Sequence, residues 1–166
     1  MEFYCVMVET GKEKAFKALA EKAVPCVSFY FFERTLKTNK GKLFDAPLFP
    51  GYLFFSCESL TPSLVADLRK IEGFYRILRE TSEPTKILGE ELDELKLFIH
   101  NGERWGISKV QFLPGQNIKV ISGPLLGLEG KIYKINKKKK HITVISSLMN
   151  DGKRFDLLYE DVVIVE

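Results

Sequence analysis

Pro114-Gly115-Gln116-Asn117-Ile118-Lys119-Val120-Ile121-Ser122-Gly123-Pro124-Leu125-Leu126-Gly127-Leu128-Glu129-Gly130-Lys131-Ile132 opens with a turn and continues as an apolar alternation through Ile118, Val120 and nearby Ile121. Gly123-Pro124, Gly127 and Gly130 then break the backbone three times before Ile132 and Ile135 resume the alternation. This spacing predicts two short, half-buried strands joined by a tight loop that needs positive φ or close backbone approach. Lys137 to Lys140 follow as a basic run, and His141-Ile142-Thr143-Val144-Ile145 reads as another strand. From Gln111 onward only strand-like segments occur, ending in Asp161-Val162-Val163-Ile164-Val165. A second domain of roughly 55 residues is near the lower size limit for independent folding, and a closed barrel without edges suits it.

Upstream the pattern changes. Phe3 to Val8 is apolar throughout and reads as a central strand. Glu9-Thr10-Gly11-Lys12 turns into a helix from about Lys12 to Ala23, with Phe16, Leu19, Ala20 and Ala23 on its inner face. Val27 to Glu33 is an aromatic strand, and Arg34 to Lys42, with Asn39-Lys40-Gly41, reads as a basic hairpin tip. Leu48 to Cys57 is a third strand, entered through Pro50-Gly51. Thr61-Pro62 supplies an N-cap and a first-turn proline for a second helix, which Gly73 stops. Phe74 to Leu78 is a strand, and Glu90 to His100 a third helix with Leu92, Leu95, Phe98 and Ile99 inward.

The order β-α-β-β-α-β-α implies an α+β fold, with helices flanking an antiparallel sheet. The expected organisation is a domain over 1–100, a linker over 101–110 and a small all-β barrel over 111–166. Hydrophobic residues at 45%, charged residues at 28% and a net charge of +3 are ordinary, and they permit nucleic-acid contact without demanding it. No apolar run reaches the roughly 20 residues of a membrane span, and no signal peptide is seen. Cys5, Cys26 and Cys57 read as reduced, buried thiols of a cytoplasmic protein.

A second string joins the first: Pro47-Leu48-Phe49-Pro50-Gly51-Tyr52-Leu53-Phe54-Phe55. The glycine-punctuated stretch resembles the KOW motif, a small SH3-like β-barrel module of ribosomal proteins and transcription elongation factors. The second string resembles the Phe-Pro-Gly-Tyr signature of the NusG N-terminal domain (NGN), and Phe3 to Glu13 is similar to that family's opening strand and turn. Phe3-Tyr4 stands where the family has a Trp-Tyr pair. With both strings in the family's order, the chain resembles a NusG-family transcription elongation or antitermination factor. Ala23-Val24-Pro25-Cys26 and Pro47-Leu48-Phe49-Pro50 resemble specialised paralogues of the RfaH and LoaP kind.

The resemblance implies a monomer whose N-terminal domain docks an apolar patch on the clamp helices of the β′ subunit of RNA polymerase and reduces pausing or termination. It places Phe49, Tyr52 and Phe54 at or beside that patch, with Met7 and Ile77 bordering it. Aromatics in such a patch bury large area at modest entropy cost; the alternative is that two of the three simply face the core. The family also touches the non-template DNA strand near the first helix, where Lys12, Lys14, Lys17 and Lys22 read either as phosphate contacts or as a solvated face. Arg34, Lys37, Lys40 and Lys42 on the hairpin tip reach towards polymerase or upstream DNA in that picture. Glu9 and Glu72 bring acid close to the expected DNA path.

Lys137, Lys138, Lys139 and Lys140, followed by His141, lie between two strands of the KOW-like module. Four adjacent cations repel one another, so they are expected to be exposed. Their counterpart is either the phosphates of a nascent RNA hairpin or a protein, since family members contact Rho or a small-subunit ribosomal protein. Some RfaH relatives fold this module as a helical hairpin, but the β-branched content here favours strands. The other class of function left open is a KOW-containing RNA-binding protein acting at the ribosome. Catalysis is not expected: His100 and His141 fall in different domains, and no metal-ligand spacing, cofactor motif or Walker-type loop occurs. Glu90, Glu91, Asp93 and Glu94 suit a helix start.

Overall fold

The computed structural model describes residues 1–78, 84–115, 117–148 and 152–162. The chain forms two compact units, Met1–Phe32 with Phe49–Leu92, and Glu33–Leu48 with Asp93–Glu166.

In the first unit, β1 (Glu2–Val8), β2 (Ser28–Tyr30), β5 (Tyr52–Cys57) and β6 (Phe74–Ile77) form an antiparallel sheet in the order β2-β5-β1-β6. Between β2 and β5 the chain leaves the sheet through β3 (Glu33–Lys37) and β4 (Leu43–Pro47). Helices α1 (Glu13–Ala23) and α2 (Pro62–Arg69) close one core with Tyr4, Val6, Val8, Phe29, Leu53, Phe55 and Ile77. The cap of α2 is as expected: the Thr61 side chain accepts from the Leu64 N–H at 3.1 Å, with Pro62 in the first turn. On α1 the buried stripe is narrower than the sequence suggests. Glu13, Phe16 and Ala20 are buried, whereas Leu19 is 45% exposed and Ala23 lies outside the stripe. Glu13 is tolerated inside because its carboxylate turns back to accept the Gly11 N–H.

Two expected strands are each shorter than predicted. The aromatic run breaks at Phe31-Phe32, both buried, so that β2 and β3 belong to different sheets. The third strand begins only at Tyr52, because Pro50-Gly51 makes a turn of its own. Gly51 has φ 81°, and its carbonyl accepts the Val8 N–H at 2.8 Å. A Cβ there would lie 3.1 Å from Thr10 Oγ1 and 3.3 Å from the Val8 carbonyl oxygen. Cys5 and Cys57 are buried as expected, but Cys26 is exposed in the turn after α1.

The second unit holds β3 and β4 as a hairpin, joined in parallel by β7 (Arg104–Trp105). It also holds a five-stranded sheet in the order β10-β11-β12-β8-β9. Its members are β8 (Ser108–Phe112), β9 (Ile118–Ser122), β10 (Ile132–Asn136), β11 (His141–Ile145) and β12 (Arg154–Asp161). The C-terminal region is therefore built of strands, not of a helical hairpin. Val163, Ile164 and Val165, expected in the last strand, lie outside the described residues. Helix α3 (Gly89–Asn101) buries Leu95 and Phe98, while Leu92 and Ile99 are half-buried.

The stretch 101–110, expected as a linker, carries β7 and the start of β8. Trp105 within it is fully buried, with its ring edge-on to Phe98 at 4.3 Å and Nε1 donating to the Gly102 carbonyl at 2.8 Å. Gly123 has φ 99° where β9 passes β8, and a Cβ there would fall 2.6 Å from Ser108 Cα. Only glycine fits that crossing.

Candidate functional site

Strand parity builds an aromatic face in the first unit. The β1–β5 register pairs Met7 with Tyr52, Val6 with Leu53, Cys5 with Phe54 and Tyr4 with Phe55. Tyr4, Val6, Leu53 and Phe55 enter the core beneath the helices, so alternation turns Cys5, Met7, Tyr52 and Phe54 to the opposite face. Phe49 joins them by packing its ring edge-on to Phe54, 5.4 Å between centroids, and Phe32 flanks Phe54 at 5.9 Å. Phe49 and Phe54 are buried, while Met7 and Tyr52 are half-buried. Met7 and Tyr52 therefore supply the accessible part of this group.

Ile77 is not with them. It is the register partner of Val6 and belongs to the core under α1 and α2. Its strand β6 lies beside β1, which separates it from β5, and its side chain enters the opposite face of the sheet.

The lysines near α1 divide. Lys12 is held 3.2 Å from both Glu9 and Glu72, and these two carboxylates raise its pKa. Lys17 lies 3.7 Å from Glu21. Lys14 and Lys22 are exposed. The acid anticipated beside this surface is thus engaged with Lys12.

In the second unit, Lys137 to Lys140 form the exposed turn between β10 and β11. Asn136 Oδ1 accepts the Lys139 N–H at 3.0 Å, Lys140 takes φ 58°, and the Lys140 carbonyl accepts the Tyr159 N–H at 3.1 Å. Two lysines rest on rings: Lys137 Nζ lies 4.6 Å from the Phe112 centroid and Lys140 Nζ 5.7 Å from that of Tyr159. Lys140 also pairs with Asp161, which raises its pKa. The side chains of Lys138 and Lys139 make no hydrogen bond or ion pair among the described residues. His141 starts β11, half-buried and paired with Asn136 and Leu158. Among the described residues there is no group of three or more His, Cys, Asp or Glu able to hold a metal. Among them, too, no helix is long and apolar enough to cross a membrane.

With both surfaces placed, comparison with known proteins decides the family. A family model described as "Transcription termination factor nusG" matches residues 1–96. The chain belongs to the NusG family. It is 25% identical over 158 residues to the transcription termination/antitermination protein NusG of Bacillus subtilis, covering 88% of each chain. It is 22% identical over 186 residues to the protein of that name from Thermus thermophilus, covering 98% of each. Among solved structures, one described as "Domain interaction in Thermotoga maritima NusG" shares its fold, with a TM-score of 0.60 at 19% identity over 95% of this chain and 93% of that one.

Within this NusG-family chain, sequence reading missed the aromatic seats of the lysine turn. Phe112 and Tyr159 pack edge to face at 5.8 Å and carry Lys137 and Lys140, yet they lie on β8 and β12, far from the lysines in sequence. Arg34, assigned to the hairpin tip, is half-buried, with Nη1 donating to the Asp156 carbonyl at 3.1 Å. Burial lowers its pKa, opposed by the Asp156 charge. Its role is to tie β3 to β12.

Proposed function

We propose that this NusG-family protein is a transcription elongation and antitermination factor of the specialised RfaH or LoaP kind, acting as a monomer on bacterial RNA polymerase. Its docking element is the Met7, Tyr52, Phe54 and Phe49 face, seated on the clamp helices of the β′ subunit, and the outcome is reduced pausing or termination. The observation that carries this reading is the Met7–Tyr52 cross-strand pair, half-buried on the sheet face turned away from the helices. A flat apolar pair backed by buried aromatics has the make-up of a binding hot spot. Tyr52 adds a hydroxyl suited to a partly wet edge.

Lys12, Lys14 and Lys22 follow the non-template DNA strand, with Lys14 and Lys22 exposed and Lys12 held between Glu9 and Glu72. The Lys137–Lys140 turn engages nascent RNA; the competing partners are Rho and a small-subunit ribosomal protein. The side chains of Lys138 and Lys139, without an ion pair among the described residues, support the RNA reading, because unneutralised cations in a fixed turn favour phosphate. The decisive experiment is single-round transcription through pauses and terminators with bacterial RNA polymerase, with wild-type protein and Tyr52→Ala. Faster pause escape or read-through with wild type only is expected. No effect of either protein, with or without the native leader, would move the function to the ribosome.

A further inference from the structure

The second unit contains a cleft of about 610 Å³ between two turns that are nearly a hundred residues apart in sequence. One wall is the β3–β4 turn, with Lys37 and Lys40; the other is the β10–β11 turn, with Lys138, Lys139 and Lys140. Among the described residues, five lysines line it against one carboxylate, Glu160, while Asp161 holds Lys140 from the side. Tyr159 forms part of the wall beneath Lys140. The side chains of Lys37, Lys40, Lys138 and Lys139 make no ion pair among the described residues.

Both walls are set in advance. In the hairpin turn the Thr38 N–H donates to the Lys42 carbonyl at 2.8 Å, the Gly41 N–H to the Thr38 carbonyl at 2.9 Å and the Lys42 N–H to Thr38 Oγ1 at 3.0 Å. The opposite turn is fixed by Asn136 and by the Tyr159 N–H. Arg34 holds the hairpin to β12, whose Leu158 and Tyr159 line the same cleft. Like charges gathered in a fixed concavity raise the local positive potential and favour a polyanion threaded through it. A basic recess with an aromatic ring in its wall is the make-up of sites that track the backbone of a flexible single strand.

We infer that the β3–β4 and β10–β11 turns form one cleft that binds the phosphodiester backbone of a single nucleic-acid strand. This rests on the reading of the Lys137–Lys140 turn as an RNA contact, and adds to it a second wall that the sequence placed elsewhere. The cleft reads charge and not bases, so binding is salt-dependent and tolerant of sequence.

The test is fluorescence anisotropy of the full chain with labelled single strands of about twelve nucleotides, RNA and DNA of one sequence, and the matching duplex, across a salt series. K37A/K40A and K138A/K139A are each expected to bind the preferred strand roughly tenfold more weakly, and each to flatten the log–log salt slope by about 1.4. The tighter-bound strand identifies RNA or DNA as the source. If K138A/K139A weakens binding while K37A/K40A binds as wild type, the cleft is refuted and the turn contact stands. If K138A/K139A binds as wild type, both the cleft and the turn contact fail. Equal affinity for the duplex overturns the single-strand assignment.

Discussion

Glu94 Oε2 on α3 accepts the backbone N–H of Ser147 at 2.7 Å, across 53 residues of sequence. The same oxygen accepts from Ser146 Oγ at 3.3 Å, and both Glu94 and Ser146 are buried. A carboxylate of the kind that usually marks the solvated side of a helix thus fastens α3 to the segment after β11. Glu94→Ala leaves the Ser147 N–H and the Ser146 hydroxyl without this acceptor, at a cost of about 2–3 kcal/mol. Glu94→Gln keeps an acceptor oxygen and is expected to lose less. Urea denaturation of the two variants checks the order, and equal losses would assign the effect to charge.

Tyr52 and Ile77 separate docking from packing. Tyr52→Ala removes a half-buried ring from the sheet face and is expected to weaken polymerase binding at least tenfold, roughly 1.4 kcal/mol or more, with little loss of stability. Ile77→Ala opens a cavity in the core under the helices and should cost about 2–4 kcal/mol of stability while the folded fraction still binds. Affinity and melting temperature measured on both proteins give opposite patterns if the face assignment is right.

Gly123→Ala tests the strand crossing. The new methyl meets Ser108 Cα at 2.6 Å on a residue with φ 99°, so strain and overlap add. A loss of more than about 2 kcal/mol is expected. Gly130→Ala, where a Cβ meets nothing within 4 Å, is its control and should stay near wild type.

The thiols should react unequally. Cys26 is exposed, whereas burial pushes the pKa of Cys5 and of Cys57 upward. A thiol reagent at mildly alkaline pH is expected to modify one cysteine in the native protein and all three after denaturation. The linked effect on stability follows from the direction of the shift. A raised folded pKa leaves the contribution intact below the ordinary thiol value of 9.0 and erodes it as pH rises from there towards the folded value. Alkaline titration of the melting temperature should therefore fall less in Cys5→Ala than in wild type.

Most of the fold was legible because its signals are local. Thr61-Pro62 capped a helix, continuous apolar character marked β1, and glycines marked the crossings. What escaped depends on register and on distance. The strand holding Ile77 pairs with β1 and not with β5, and both that order and the face of Ile77 follow from pairing with Val6, which no single strand encodes. The two residues of β7 are too few to show a period, so a buried tryptophan passed for linker. Lys137 and Phe112 meet only through the strand order of the β unit. Tyr52, by contrast, was assigned to its strand from its string alone.

Trp105 has a use beyond packing. It is the one tryptophan of the chain, it is fully shielded from water, and its unit is the one that holds the lysine cleft. Its emission is therefore a built-in optical reporter of one unit, starting blue and shifting red only when that unit opens. Circular dichroism follows the helices, α1 and α2 of the first unit among them, so the two signals recorded on one sample reveal whether the units melt as one or in turn, with no label attached to the protein.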